Sequence, residues 1–132
     1  TASTRPLMKL QSLADGAQYA LTGYGPGYLE VNRVRHSTGL LVAAQGEVRP
    51  WPVTGVEALG PADFEQMLAL RPEVVLLGTG DRQRFVHPRL YACLTNARIG
   101  LEMMDTGAAC RTYNILMSEG RHVLAALITP AA

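Results

Sequence analysis

Hydrophobic and polar positions alternate along the first half of the chain, a pattern typical of half-buried β-strands. The alternation predicts strands over residues 19–24 and 28–34, and a continuous apolar run predicts another over residues 38–44. Residues 47–53 contain Pro50 and Pro52, which restrict that segment to an edge strand or an irregular strand. Glycine and proline predict turns at residues 23–27 and 45–46.

In the second half the apolar spacing changes to three and four residues, which predicts helices. The pair Gly60-Pro61 begins the first of these, because proline is favoured at the first helical position, and Pro72 ends it. Its predicted common face holds Phe64, Met67, Leu68 and Arg71.

Two further helices are predicted over residues 88–97 and 106–119. For the second we expect Thr106 to be the N-cap and Gly120 to end the helix. The inward-facing positions are expected to be Leu90, Leu94 and Ala97 in the first helix, and Ala109, Tyr113, Leu116 and Met117 in the second.

Strands are predicted between these helices, over residues 73–77, 99–104 and 123–128. Val74, Val75, Leu76 and Leu77 form a continuous apolar run, which is typical of a strand covered on both faces. Alternation of strands and helices predicts an α/β fold, with a central sheet between helices and the N-terminal β elements as an added layer.

Composition indicates one globular domain spanning residues 1–132, with residues 1–18 expected to be poorly structured. The chain has 132 residues, of which 48% are hydrophobic and 17% charged. A domain of this size buries enough surface for a stable core without metals or disulfides. The formal net charge of +1 argues against binding to nucleic acid, and no apolar run is long enough to insert into a membrane.

Cys93 and Cys110 are the chain's two cysteines and form no Cys-x-x-Cys pair. Without a recognisable secretory leader, they are interpreted as reduced thiols of a reducing compartment such as the cytoplasm. The three histidines are isolated in sequence, so the chain offers no spacing typical of a metal site. No metal and no cofactor are therefore expected.

The first candidate binding segment is Gly78-Thr79-Gly80, directly after the buried strand. Glycines at the carboxyl end of a central strand allow backbone N–H groups to approach an anion, and Arg82 could add positive charge. The P-loop ending and the third glycine of the dinucleotide fingerprint are absent. A tight turn without a ligand therefore explains the same residues.

The second candidate segment runs from Thr106 to Asn114, from a strand end into a helix start. Cys110 lies near the helix N-terminus, where the helix dipole and Arg111 would lower the pKa of a thiol. No histidine lies nearby in sequence to act as a base, and a free cysteine is usually a buried apolar residue. No catalytic residue is assigned, and Asn114 could equally bond neighbouring backbone.

Several blocks of this sequence recur together in one known family. They are GYG at 23–25, PE at 72–73, LLGTG at 76–80, GLEMMDT at 100–106, CRTYNIL at 110–116 and EGR at 119–121. The chain resembles, over about residues 19–128, the Mth938-like (DUF498) family of uncharacterised bacterial and archaeal proteins that includes mitochondrial complex I assembly factor 3. The resemblance implies a three-layer β+α/β/α fold with a mixed central sheet.

The resemblance also implies a function without established catalytic activity. The leading hypothesis is a non-enzymatic protein-binding or assembly-factor-like module whose partner is another protein. The alternative is a small-molecule or anion-binding protein, or an enzyme, with its site at the Gly78–Gly80 turn and the Thr106–Asn114 helix start. The alternative requires the N–H groups of both segments to converge on one crevice.

Overall fold

The structure is a computed structural model that describes residues 18–131. All but Gln18 of the N-terminal segment predicted to be poorly structured therefore lies outside the described residues. Two sheets are present. The smaller contains β1 (Leu21–Gly25), β2 (Tyr28–Val31) and β3 (Val34–His36), each antiparallel to the next.

The larger sheet has five strands in the order β5-β4-β8-β6-β7. They are β4 (Leu40–Ala43), β5 (Val48–Pro50), β6 (Val74–Gly78), β7 (Gly100–Met104) and β8 (Val123–Leu127). β6 is parallel to both β7 and β8, whereas β4 is antiparallel to β8 and β5. The sheet is therefore mixed, as predicted. β4 and β5 belong to it rather than to the added layer in which they were expected, because β4 pairs with the last strand of the chain.

Helices cover both faces of the five-stranded sheet. They are α1 (Pro61–Ala69), α2 (Ala92–Asn96) and α3 (Thr106–Ser118). α3 and the small sheet share one apolar core with one face of the large sheet, and α1 and α2 share a second core with the other face. Tyr113 and Phe64 are the largest fully buried side chains, one in each core. β6 is buried along its whole length, as its apolar run predicted.

Local turns differ from the sequence predictions at two places in the small sheet. Residues 23–25 were predicted to be a turn but belong to β1, and the turn is confined to Pro26 and Gly27, whose φ is 75°. The strand predicted over residues 28–34 is broken at Asn32 and Arg33, which have φ angles of 49° and 70°. A two-residue hairpin turn with both φ angles positive matches the twist of its flanking strands, so β2 and β3 pair there.

The predicted helices are also shorter than expected. Pro88–Tyr91 forms a 3-10 helix before α2 begins, and Ala97, predicted to face inward, is exposed after α2 ends. Arg71, predicted to share a helix face with Phe64 and Met67, follows α1 at a φ of 52° and is exposed. Gly120 follows α3 with a φ of 79°, the left-handed conformation expected of a C-terminal glycine.

Candidate functional site

The Gly78–Gly80 turn leaves the carboxyl end of β6, in the middle of the parallel part of the large sheet. Gly80 has a φ of 100°, which requires glycine or incurs strain. The Thr79 N–H donates to the Met104 carbonyl at the end of β7, 2.8 Å away. The turn therefore joins the ends of two neighbouring strands.

Thr106 lies directly beneath this turn and is fully buried. Its Oγ1 accepts a hydrogen bond from the Gly80 N–H (2.9 Å) and donates one to the Ile128 carbonyl (2.6 Å). The Thr106 N–H in turn donates to the Gly80 carbonyl (2.9 Å). One threonine thus connects the segments that follow β6, β7 and β8.

The prediction that Thr106 caps α3 was wrong. The N-cap is Asp105, whose Oδ1 accepts a hydrogen bond from the Ala108 N–H at 2.8 Å. Both residue types can cap a helix. The Thr106 hydroxyl instead points into the protein, where it bonds the Gly80 N–H and the Ile128 carbonyl.

A crevice of about 230 Å³ lies beside the turn. It contains three of the predicted site residues, Thr79, Gly80 and Arg82. Its remaining lining residues are Thr54, Gly55, Val56, Glu57, Asp81, Arg84, Ile128, Thr129 and Ala131. Charges of both signs meet there: Arg84 forms an ion pair with Glu57 (3.5 Å), and Asp81 Oδ1 accepts from the Ala131 N–H (3.1 Å).

The structure does not bring the other predicted residues to this crevice. Gly78 and Thr106 lie beneath it, packed so closely that a Cβ on Gly78 would come within 3.0 Å of Thr106 Oγ1. Arg111 donates to the Tyr24 hydroxyl (2.7 Å). Asn114 exchanges two hydrogen bonds with the backbone of Leu21, so its amide attaches the small sheet to α3.

Cys110 faces the core shared by α3 and the small sheet and is 2% exposed. Burial raises the pKa of its thiol to about 12, outweighing the opposite effect of neighbouring Arg111. Of the two interpretations of Cys110, this environment supports the buried apolar residue rather than the activated thiol. A thiol in this environment is protonated at neutral pH and behaves as a small apolar side chain.

A surface feature that the sequence patterns did not indicate lies in the loop between β6 and α2. Phe85 is 75% exposed there, although the neighbouring Val86 is buried. The loop holds no regular element before Pro88, so no periodicity could distinguish an outward-facing residue from an inward-facing one. Phe64, the other phenylalanine, is fully buried.

Residues 18–131 lack two other kinds of feature. No group of three or more His, Cys, Asp or Glu side chains is arranged to hold a metal ion in this part of the chain. No helix within it has the length and apolarity needed to cross a membrane.

Comparison with known proteins identifies the family to which this fold belongs. Residues 21–128 match the family described as Protein of unknown function (DUF498/DUF598). The chain belongs to the DUF498 family. An uncharacterized protein of Rhodobacter capsulatus is 35% identical over 108 residues, which are 82% of each chain. The solution structure of a Bordetella pertussis protein described as a Mth938-like domain superposes with a TM-score of 0.79, at 36% identity and 94% coverage of both chains. The predicted α/β, Mth938-like fold is confirmed.

Other DUF498 relatives carry a functional name. The human protein named NADH dehydrogenase (ubiquinone) 1 alpha subcomplex assembly factor 3 is 33% identical over 124 residues, which are 92% of this chain and 66% of that protein. The chain spans 45% of the bovine protein of the same name. The predicted kinship with complex I assembly factor 3 is confirmed, and this chain is a domain of unknown function related to an assembly factor.

Proposed function

We propose that this chain is a non-enzymatic protein-binding module that assists the assembly of a multisubunit complex. Its kinship with an assembly factor supports a protein partner. We infer that this assembly takes place in the bacterial cytoplasm.

The observation that carries the proposal is the exposure of Phe85 on a loop that the protein holds in place. Thr79 Oγ1 donates to the Arg82 carbonyl (2.7 Å) and accepts from the Arg84 N–H (3.1 Å). On the other side of Phe85, Val86 is buried and its N–H contacts the sulfur of Met103 (3.3 Å). A large aromatic side chain presented on a fixed backbone is suited to anchoring a protein interface, because little loop entropy is lost on binding.

The hydrogen bonds of the glycine turn weigh against the alternative, an anion-binding or small-molecule site. The N–H groups of Thr79 and Gly80 are already bonded to Met104 and Thr106, so neither is free to hold a phosphate. The residues that line the crevice include no cysteine and no histidine. Its charged residues are Glu57, Asp81, Arg82 and Arg84, and the carboxylates of Glu57 and Asp81 oppose the entry of a free anion such as phosphate.

The test is a comparison of four strains of the native organism, one in which the gene is deleted and three in which it is replaced by wild type, Phe85→Ser or Ile115→Ser. Ile115 is 59% exposed on α3 and serves as the matched control for removing exposed apolar surface. Native gels with quantitative mass spectrometry would measure each multisubunit complex. We expect one complex to be depleted in a deletion strain and in the Phe85→Ser strain, and restored by the other two genes. Unchanged complexes in the deletion strain would show that the proposal is wrong.

A further inference from the structure

Positively charged residues lie on both sides of Phe85 along the exposed loop. Between residues 81 and 89 the chain has three arginines, Arg82, Arg84 and Arg89, and all three are exposed. Among the described residues, Arg82 and Arg89 have no carboxylate within salt-bridge distance, and the pairing of Arg84 with Glu57 is long and solvent-exposed. Such a pair contributes little and can exchange partners at low energetic cost.

The crevice opens beside this loop, with Arg82 and Arg84 among its lining residues. Its volume of about 230 Å³ accommodates one carboxylate-bearing side chain together with a few waters. Asp81, the acidic residue of the loop, is held by the Ala131 N–H. An incoming carboxylate would therefore meet two guanidinium groups beside an exposed aromatic ring.

We propose that Phe85, Arg82, Arg84 and Arg89 form a docking surface for an acidic segment of the partner protein. Phe85 packs against an apolar side chain of that segment, and a neighbouring acidic side chain of the segment enters the crevice lined by Arg82 and Arg84. Arginine and aromatic residues are the types most often found at the energetic centre of protein interfaces. This inference rests on the proposed function and adds the chemistry of the partner.

The charge distribution favours a protein segment over an anionic membrane surface. Membrane-binding segments typically cluster four to eight Lys and Arg residues, whereas this loop has three, and carboxylates of Glu57 and Asp81 line the same crevice. Because carboxylates and guanidinium groups line the same crevice, it favours one acidic side chain at a defined position over a broad anionic surface. The whole chain has a net charge of only +1, so no broader field attracts a lipid surface.

The experiment selects binders from a library of short random peptides displayed on phage, with the full chain immobilised. Synthetic copies of the enriched peptides are then titrated against wild type, the double variant Arg82→Glu/Arg84→Glu, and Phe85→Ala. Arg98→Glu is the charge control, because Arg98 is exposed just before the amino end of β7, whereas the loop contacts Met103 near the carboxyl end of that strand. Ile115→Ala is the apolar control. Circular dichroism of every variant confirms that it is folded.

We expect the enriched peptides to combine Asp or Glu with an apolar residue, and their affinity to weaken as salt is raised. Each loop variant should bind at least about tenfold more weakly than wild type, the loss expected for residues at an interface centre, and the controls should bind as wild type does. Enrichment without acidic residues, or equal binding by the loop variants, would overturn the inference. So would loop-dependent sedimentation with phosphatidylglycerol vesicles in place of peptide binding.

Failure of this inference can be told apart from failure of the proposed function. If deleting the gene depletes a complex but the Arg82→Glu/Arg84→Glu gene restores it fully, the assembly function stands and the acidic docking surface is wrong. If deletion depletes nothing, the proposed function is wrong whatever the peptides show.

Discussion

The Thr106 hydroxyl accepts a hydrogen bond from the Gly80 N–H, and this contact closes the carboxyl end of the large sheet. The same hydroxyl donates to the Ile128 carbonyl, so three strand ends depend on one oxygen atom. Because Thr106 is fully buried, no water can replace it without rearrangement. The glycine turn, which the sequence offered both as a candidate anion site and as a tight turn, thus takes part in a junction of three strand ends.

Replacing Thr106 by valine should destabilise the protein strongly. Valine matches threonine in shape but leaves the Gly80 N–H and the Ile128 carbonyl without partners, at a cost of about 2–4 kcal/mol in the free energy of unfolding. Thr106→Ser is the control, since it keeps the hydroxyl and should cost about 1 kcal/mol or less for one buried methyl group. Urea unfolding followed by circular dichroism measures both. Equal stability of the two variants would show that the hydroxyl is not what holds the junction.

Gly80→Ala should destabilise the protein because of backbone conformation alone. A Cβ at Gly80 would meet no heavy atom within 4 Å, but its φ of 100° is one that L-residues rarely adopt, so we expect a loss of about 1–2 kcal/mol. Gly46→Ala is the matched control, because the φ angle of Gly46 is not in the left-handed region and its new Cβ would make an ordinary contact with Ala43. Thermal unfolding that ranks Gly46→Ala as the more harmful change would contradict this prediction.

The sequence predicted the large elements because their patterns reflect burial. The run Val74–Leu77 indicated a strand covered on both faces, and β6 does lie between β8 and β7 with helices on both sides. The hairpin at Asn32 and Arg33 was missed because arginine is not a typical residue for a positive φ. Here the pairing of β2 with β3 outweighs the local preference.

The candidate site was predicted only in part, because its decisive contacts are long-range. The alternative hypothesis required the glycine turn and the α3 start to follow adjacent strands, and in the structure they do. The Thr106 hydroxyl bonds the Ile128 carbonyl, which follows β8 and lies 22 residues further along the chain, so no local pattern could show that Asp105 would cap the helix instead. The exposure of Phe85 depends on which neighbours are buried, and a loop without periodicity does not encode it in a local pattern.

Phosphate should not stabilise this protein through the glycine turn. The Thr79 and Gly80 N–H groups are bonded within the protein, so a bound anion would have to displace Met104 or Thr106. Phosphate stabilises most proteins somewhat by exclusion from their surface. We therefore expect the same small rise in melting temperature for wild type and Arg82→Ala, with chloride at equal ionic strength as the reference. A rise seen in wild type and reduced in Arg82→Ala would instead support the anion-binding alternative.

Cys110 should react with a thiol probe far more slowly than Cys93 in the folded protein. Cys110 is buried and its thiol pKa is raised to about 12, whereas Cys93 is only half-buried. The reactive species is the thiolate, and a pKa raised from 9.0 to about 12 lowers its population at neutral pH about a thousandfold. Below that raised pKa the thiolate fraction of Cys110 rises about tenfold with each pH unit, so its labelling should keep accelerating as the pH is raised toward 12. Labelling with a maleimide probe, with Cys93→Ser and Cys110→Ser used to assign the signals, measures each rate. The two rates should become equal in denaturant, which removes the burial. Rapid labelling of Cys110 under native conditions at neutral pH would contradict its place in the core and reopen the question of a reactive thiol.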